Sequence, residues 1–246
     1  MGKALIEGLV NGGQVDRSKI VVSSSSGTNQ EVVRESDWVF VAVKPLIAKT
    51  VLSEIGSLIA DKLVISMMAA VNVGAIRNYT GNKKQEVVRL MANIPIATNA
   101  GLVGLFADSL VSSRNKQDSL KLLTGLGKVV EVESEDELDV LTLVSACGPA
   151  IVSLFLSLMA NYGIKHKMSA ETSMEAVMQT FKGTIAYLEE SDTNANDLIT
   201  AVATKGGITE AILSTAKSFG LHDVFDHSMD TGLNRLAKLM TDIHKL

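Results

Sequence analysis

The segment Thr204-Lys205-Gly206-Gly207-Ile208-Thr209 sets two glycines ahead of a helix pattern that begins near Glu210. Backbone N–H groups of Gly206 and Gly207 at such a helix start form a seat for a carboxylate or a phosphate, and the flanking threonines add hydroxyl donors. An ordinary helix–helix turn has the same appearance. Three further turns follow β-rich runs: Lys44-Pro45 after WVFVAV, Met68-Ala69-Ala70 after KLVISM, and Ala92-Asn93 with Pro95 after EVVRLM. Turns at the carboxyl edge of a parallel sheet are where ligands bind in such folds. Small residues there let a flat ring approach closely, or simply pack. Lys44, ending a buried run, reads equally as a solvated cap.

A fourth candidate is the serine run Ser23–Ser26, after the run Lys19–Ser23. In dinucleotide folds this position reads the adenosine ribose. No acidic residue stands in the run to chelate a ribose diol, and hydroxyls donate to a 2′-phosphate, which favours NADP over NAD. A flexible serine loop fits the same residues. Cys147, in Ser145-Ala146-Cys147-Gly148-Pro149, has no histidine near it in sequence and apolar neighbours that would raise its pKa, so it is not read as a nucleophile. His222 and His227 stand five apart rather than four, and no acidic or cysteine cluster has ligand spacing, so no metal site is expected.

The elements that must position these residues change character along the chain. Lys19–Ser23, Trp38–Val43, Lys62–Met67, Glu86–Met91 and Lys128–Val132 read as buried strands rich in β-branched residues. Helix patterns at Gly2–Asn11, Asn29–Ser36, Ile47–Ile59, Val73–Asn78 and Lys116–Leu126 alternate with them, the last ending at Gly127. The alternation predicts an α/β domain with a mostly parallel sheet and helices on both faces. From Ser134 onward the pattern is helical. Ile151–Met159 is apolar nearly all round and reads as a buried helix. Met174, Val177, Met178, Phe181, Ile185 and Leu188 form one stripe, and Met229, Leu233, Leu236, Met240 and Ile243 another. Gly148-Pro149 predicts a kink or a tight joint. The expected domains are 1–133 and 134–246.

Composition limits the function classes. The 246 residues are 46% hydrophobic and 20% charged, with a formal net charge of −4, which supports a packed core and gives no basic footprint for nucleic acid. One cysteine excludes an intrachain disulfide and fits a reducing, cytoplasmic setting. The apolar runs read as too short for a membrane span, and no signal peptide is read at the start.

Taken in order, the motifs resemble the pyrroline-5-carboxylate reductase family. Thr28-Asn29, Ser36-Asp37 and Ala42-Val43-Lys44-Pro45 are similar to its adenine-side helix and Val-Lys-Pro turn. Arg89 to Pro95 resembles its Arg-x-Met-Pro-Asn-x-Pro segment, Thr142 to Ala150 its Ser-Gly-Pro-Ala region, and Thr204 to Thr209 its Gly-Gly-Thr-Thr loop. The resemblance implies a Rossmann-like domain followed by a helical dimerisation domain. It implies hydride transfer from NAD(P)H, NADPH preferred, to the C=N carbon of Δ1-pyrroline-5-carboxylate, giving L-proline. It places Ser24, Asn29, Ala42, Val43, Lys44, Pro45, Met67, Met68 and Ala69 at the cofactor. Glu135, Ile208 and Thr209 would face substrate beside Gly206 and Gly207, with Thr209 as the catalytic residue hydrogen-bonding the imine nitrogen. A homodimer or larger homo-oligomer is implied. Met1-Gly2 resembles the tail of the family's glycine-rich loop, so the expectation is an N-terminally truncated member. Ala92, Ala146, Cys147, Lys205 and Ile208 depart from the family's Pro, Gly, Ser, Pro and Thr. Reduction of a related cyclic imino acid, or a non-catalytic dimeric relative, are the alternatives these departures leave open.

Overall fold

The computed structural model describes residues 1–23 and 28–244; Ser24 lies outside the described residues. The chain opens with α1 (Gly2–Asn11), which buries Ala4, Leu5 and Leu9 at helical spacing. Next comes α2 (Asn29–Arg34), where the Thr28 hydroxyl and the Glu31 carboxylate cap each other's backbone N–H in a capping box. The alternating part runs β1 (Trp38–Val41), α3 (Ala48–Ile55), β2 (Leu63–Ser66), α4 (Val73–Thr80), β3 (Val87–Ala92), β4 (Gly101–Ala107), α5 (Ser113–Leu123) and β5 (Gly127–Glu131). The sheet order is β1-β2-β3-β4-β5. β1 with β2, β2 with β3, and β4 with β5 are parallel; β3 with β4 is antiparallel.

Helices cover both faces of this sheet, as the strand–helix alternation requires. Val39, Val41, Val64 and Val87 pack with α3, α4 and residues Leu236 and Ile243 from the end of the chain. On the other face, Leu63, Ile65, Val88, Leu90, Val103 and Leu105 pack with α1 and with Leu123 and Leu126. Gly127, at φ 131°, ends the short 3-10 turn that follows α5 and starts β5.

One expected strand is absent and one unexpected strand is present. Lys19–Ser23 is not a strand: Arg17–Lys19 forms a 3-10 turn capped by Asp16, and Val21 and Val22 are exposed. A strand needs a hydrogen-bonding neighbour, and among the described residues β1 pairs only with β2. Val21, Val22 and β1 instead line an open cleft. The converse case is β4, which was not anticipated because Gly101 and Gly104 thin its apolar pattern. Both are close approaches: Gly101 lies against Ile96, and Gly104 against Leu138 and Leu141.

Among the described residues, everything after Glu131 is helical or loop: α6 (Glu135–Leu141), a π-turn (Thr142–Ala146), α7 (Gly148–Lys165), α8 (Ala170–Glu190), α9 (Ala195–Val202), α10 (Ile208–Ser218) and α11 (Leu221–His244). Chain contacts divide the protein into two compact units. One holds Met1–Pro149 and Gly232–Leu246, the other Ala150–Thr231. α6 falls within the first of these units, past the expected boundary at 133/134. Just before Gly148-Pro149, where a kink or joint was expected, the chain passes through the π-turn, whose C-cap Cys147 N–H donates to Thr142 O at 3.1 Å. A proline ring crowds the carbonyl four residues back in a regular helix, and the wider turn accommodates it.

α7 is not a buried helix. Only Ala160 is buried on it, while Val152, Leu154, Leu158, Met159 and Tyr162 are exposed. Nor do the apolar stretches fall short of a membrane span. The helical run Glu135–Lys165 is long and apolar enough to cross one by length and composition, the one such run among the described residues. Within the second unit α8 meets α7 where the Ser173 hydroxyl donates to Ala160 O at 2.7 Å. Val177 is buried, whereas Met174, Met178 and Ile185 stay exposed.

Candidate active site

A cleft of about 1090 Å³ lies in the first unit, along β1 and α1. Of the anticipated cofactor residues, Asn29, Ala42 and Val43 line it, with Gly2 and Ser23. The first turn of α1 lies beside the β1 turn: a Cβ placed on Gly2 would stand 3.5 Å from Ala42 Cβ. A helix start next to the carboxyl end of a parallel strand is an anion seat of the dinucleotide-fold kind. Volume and chemistry therefore fit a dinucleotide: the lining combines apolar side chains with polar ones, Ser23 and Asn29 among them, and the first turn of α1.

The Asn29 side chain is already engaged. Its Oδ1 accepts from the Ser23 hydroxyl at 2.6 Å and its Nδ2 donates to Glu54 Oε2 at 2.9 Å. The serine run itself holds no acidic residue, and the carboxylate that reaches Asn29 is Glu54 of α3. Lys44 and Pro45 follow β1 outside the cleft lining, with Lys44 exposed at the start of a 3-10 turn (Pro45–Ile47). Met67, Met68 and Ala69 form the turn after β2. Met67 N–H extends the ladder to Val41 O at 2.9 Å, and Met68 N–H donates to the Ser66 hydroxyl at 3.3 Å. Met67 and Met68 are buried and Ala69 is half-buried. Ala70 takes φ 62°, the left-handed region a residue with a Cβ rarely adopts.

Glu135, expected at the substrate, opens α6 and is tied down. Its Oε1 accepts from Arg89 Nη1 at 2.6 Å and from Val73 N–H at 2.9 Å. Arg89 Nη2 also reaches Asp139 Oδ1 at 3.4 Å. Burial pushes the Asp139 carboxyl above the usual carboxylate range; the Arg89 charge and hydrogen bond oppose this, and Glu135 and Asp136 add to it. Sequence reasoning gave Arg89 and Asp139 no role. The available signal was a cation inside the apolar run EVVRLM, since a charge in a buried strand needs a partner. Asn93 was likewise quoted without a role. Its Oδ1 accepts from Leu102 N–H and its Nδ2 donates to Ser145 Oγ in the π-turn, at 2.9 and 3.3 Å.

In the second unit, Gly207 is the N-cap of α10 and Gly206 has φ 74°. The backbone seat differs from the one expected. Gly207 N–H donates to Thr204 O at 2.9 Å and Gly206 N–H to Glu210 Oε2 at 2.5 Å, so neither glycine offers a free donor. The free donors of a helix start are its first-turn N–H groups, here those of Ile208 and Thr209. Ile208 is exposed, and the half-buried Thr209 hydroxyl has no hydrogen bond among the described residues.

Two family descriptions match this chain: "Pyrroline-5-carboxylate reductase dimerisation" over residues 135–239 and "NADP oxidoreductase coenzyme F420-dependent" over residues 1–70. The Pseudomonas aeruginosa pyrroline-5-carboxylate reductase is 28% identical over 86% of this chain and 78% of its own length. The Escherichia coli enzyme of the same name is 29% identical over 97% and 94%. The crystal structure of the Plasmodium falciparum pyrroline carboxylate reductase with NADP bound superposes with a TM-score of 0.91 at 26% identity, covering 98% of this chain and 94% of that one. Along nearly its whole length the chain is similar to the pyrroline-5-carboxylate reductases. The likeness follows the order of the parts: a Rossmann-like sheet unit first, then the helices matched by the dimerisation description.

Proposed function

We propose that this protein reduces the C=N bond of Δ1-pyrroline-5-carboxylate to give L-proline, with NADPH as the donor and NADH as a possible substitute. The observation that carries the proposal is the agreement over nearly the whole chain with a pyrroline carboxylate reductase solved with NADP, joined to the dimerisation description over the helical half. Bound in the cleft, the cofactor supplies the hydride. The residues proposed to hold it are Asn29, Ala42, Val43, Lys44 and Pro45, with Met67, Met68 and Ala69 closing the side next to β2.

The chain's own task is to seat the imino acid. Ile208 and Thr209 present backbone N–H groups suited to a carboxylate, and the Thr209 hydroxyl is uncommitted. In this reading that hydroxyl hydrogen-bonds the imine nitrogen and orients the ring for attack at the carbon. Glu135 Oε2 is the free oxygen of a carboxylate whose other oxygen is bonded twice. The helical half pairs with a second copy through the exposed apolar residues of α7. A cytoplasmic setting is supported by the single free cysteine, Cys147.

The deciding experiment is NADPH oxidation by the purified chain with and without pyrroline-5-carboxylate. Oxidation that depends on the imino acid and scales with protein, with proline as product, is expected. Its absence at high protein concentration overturns the proposal. Thr209→Val is expected to lower kcat/KM by roughly 10- to 100-fold, the equivalent of losing a hydrogen bond worth about 1–3 kcal/mol at the reacting centre. A change within twofold removes Thr209 from the mechanism.

A further inference from the structure

Arg89 is 1% exposed in the middle of β3, where its ladder partner on β2 is Ser66. Its guanidinium holds Glu135 and Asp139, while its buried Nε has no hydrogen-bond partner among the described residues. Apolar residues of similar volume usually serve stability as well as a buried ion cluster does, and an unsatisfied donor adds a cost. The arrangement is therefore a poor device for stability alone. Its geometry has a direction. Glu135 Oε1, fixed by Arg89, also accepts the N–H of Val73, the first residue of α4. Val73 ends the connection from β2 that contains Met67, Met68, Ala69 and the left-handed Ala70. At its other end this connection is held by Ser66, the residue paired with Arg89.

We infer that Arg89 is a positioning residue: through Glu135 it anchors the first turn of α4 and so sets the Met67–Ala70 turn against the cofactor. This rests on the proposed reading in which that turn lines NADPH. Asp139 is the internal contrast, because it meets the same guanidinium at 3.4 Å but has no bond to α4. A role confined to holding α6 on the sheet would make the two acids equivalent; a positioning role singles out Glu135.

The test is the NADPH dissociation constant of the full-length protein without substrate, read by calorimetry on samples shown to be folded by circular dichroism. Arg89→Lys and Glu135→Gln are each expected to weaken binding by on the order of tenfold. Their combination is expected to be no worse than the weaker single variant, because both break one path. Asp139→Asn is expected to stay within twofold of the parent. Multiplicative losses in the double variant, or equal losses for Glu135→Gln and Asp139→Asn, overturn the inference. Should Arg89→Lys not fold, the comparison of Glu135→Gln with Asp139→Asn decides it, since both variants keep the buried guanidinium. An unchanged constant in Glu135→Gln overturns this inference alone, whereas a parent protein that fails to bind NADPH overturns the reading beneath it. A direct contact of Glu135 with substrate would show separately, in the KM for pyrroline-5-carboxylate.

Discussion

Asp139 shows how a carboxyl can be partnered by a cation and still have its pKa raised by burial. Its neighbours are the Arg89 cation, which favours ionisation, and the carboxylates of Glu135 and Asp136, which oppose it; burial is the largest influence and raises its pKa. A carboxyl with a raised folded pKa binds its proton more tightly in the native chain than in the unfolded one. Its contribution to stability is complete below the unfolded value, about 3.9, and is lost as pH rises through the folded value. Asp139→Asn has no proton to lose. The melting temperature of this variant relative to the parent is therefore expected to move in the variant's favour between about pH 4 and pH 7. A difference that moves against the variant over the same range would mean that the Arg89 attraction outweighs burial.

At the scale of elements, α10 carries its own counter-charge. Glu210, in its first turn, reaches back to Gly206 N–H and leaves a negative group beside the N–H groups proposed to seat the substrate carboxylate. A like charge near a helix start weakens anion binding, and such effects are worth about 0.3–1 kcal/mol when exposed. Glu210→Gln is therefore expected to lower the KM for pyrroline-5-carboxylate by roughly two- to fivefold with kcat little changed. An unchanged or higher KM would place the carboxylate elsewhere. This detail also marks where sequence reading stops. Gly206-Gly207 before a helix was visible, but not that Thr204 and Glu210 occupy both glycine donors. β1, β2, β3 and β5 were legible because β-branched runs in buried strands leave a local signal. Lys19–Ser23 has the same local signal and forms no strand, because pairing depends on a neighbour that no local pattern encodes. Glu54 and Asp139 were illegible for the same reason: each meets its partner from a different element, α3 against Asn29 and α6 against Arg89.

For the whole molecule, the question is what covers α7. Its 18 residues extend about 27 Å, and its apolar side chains Leu154 and Leu158 are each 56% exposed. A contiguous apolar surface of this kind marks an interface. A helix that is apolar nearly all round reads in sequence as a core helix, and only the fold shows that its own chain does not bury it. The helical run that meets the length criterion for a membrane span begins with Glu135, Asp136, Glu137 and Asp139, and Leu138 and Asp139 are buried against the sheet unit. That leaves α7 as the part in need of a cover, and the dimerisation description spans the same residues. A second copy of the chain is the proposed cover, and it would account for both. Light scattering is expected to give at least twice the 26.2 kDa chain mass. Replacing both Leu154 and Leu158 with Glu is expected to lower it to that of one chain, because two charges cannot be buried unpaired in an apolar contact. NADPH binding should persist in the variant, since the proposed cofactor residues lie in the sheet unit. A parent protein that runs as a single chain at micromolar concentration, or a variant that keeps its full mass, would leave α7 without the proposed partner.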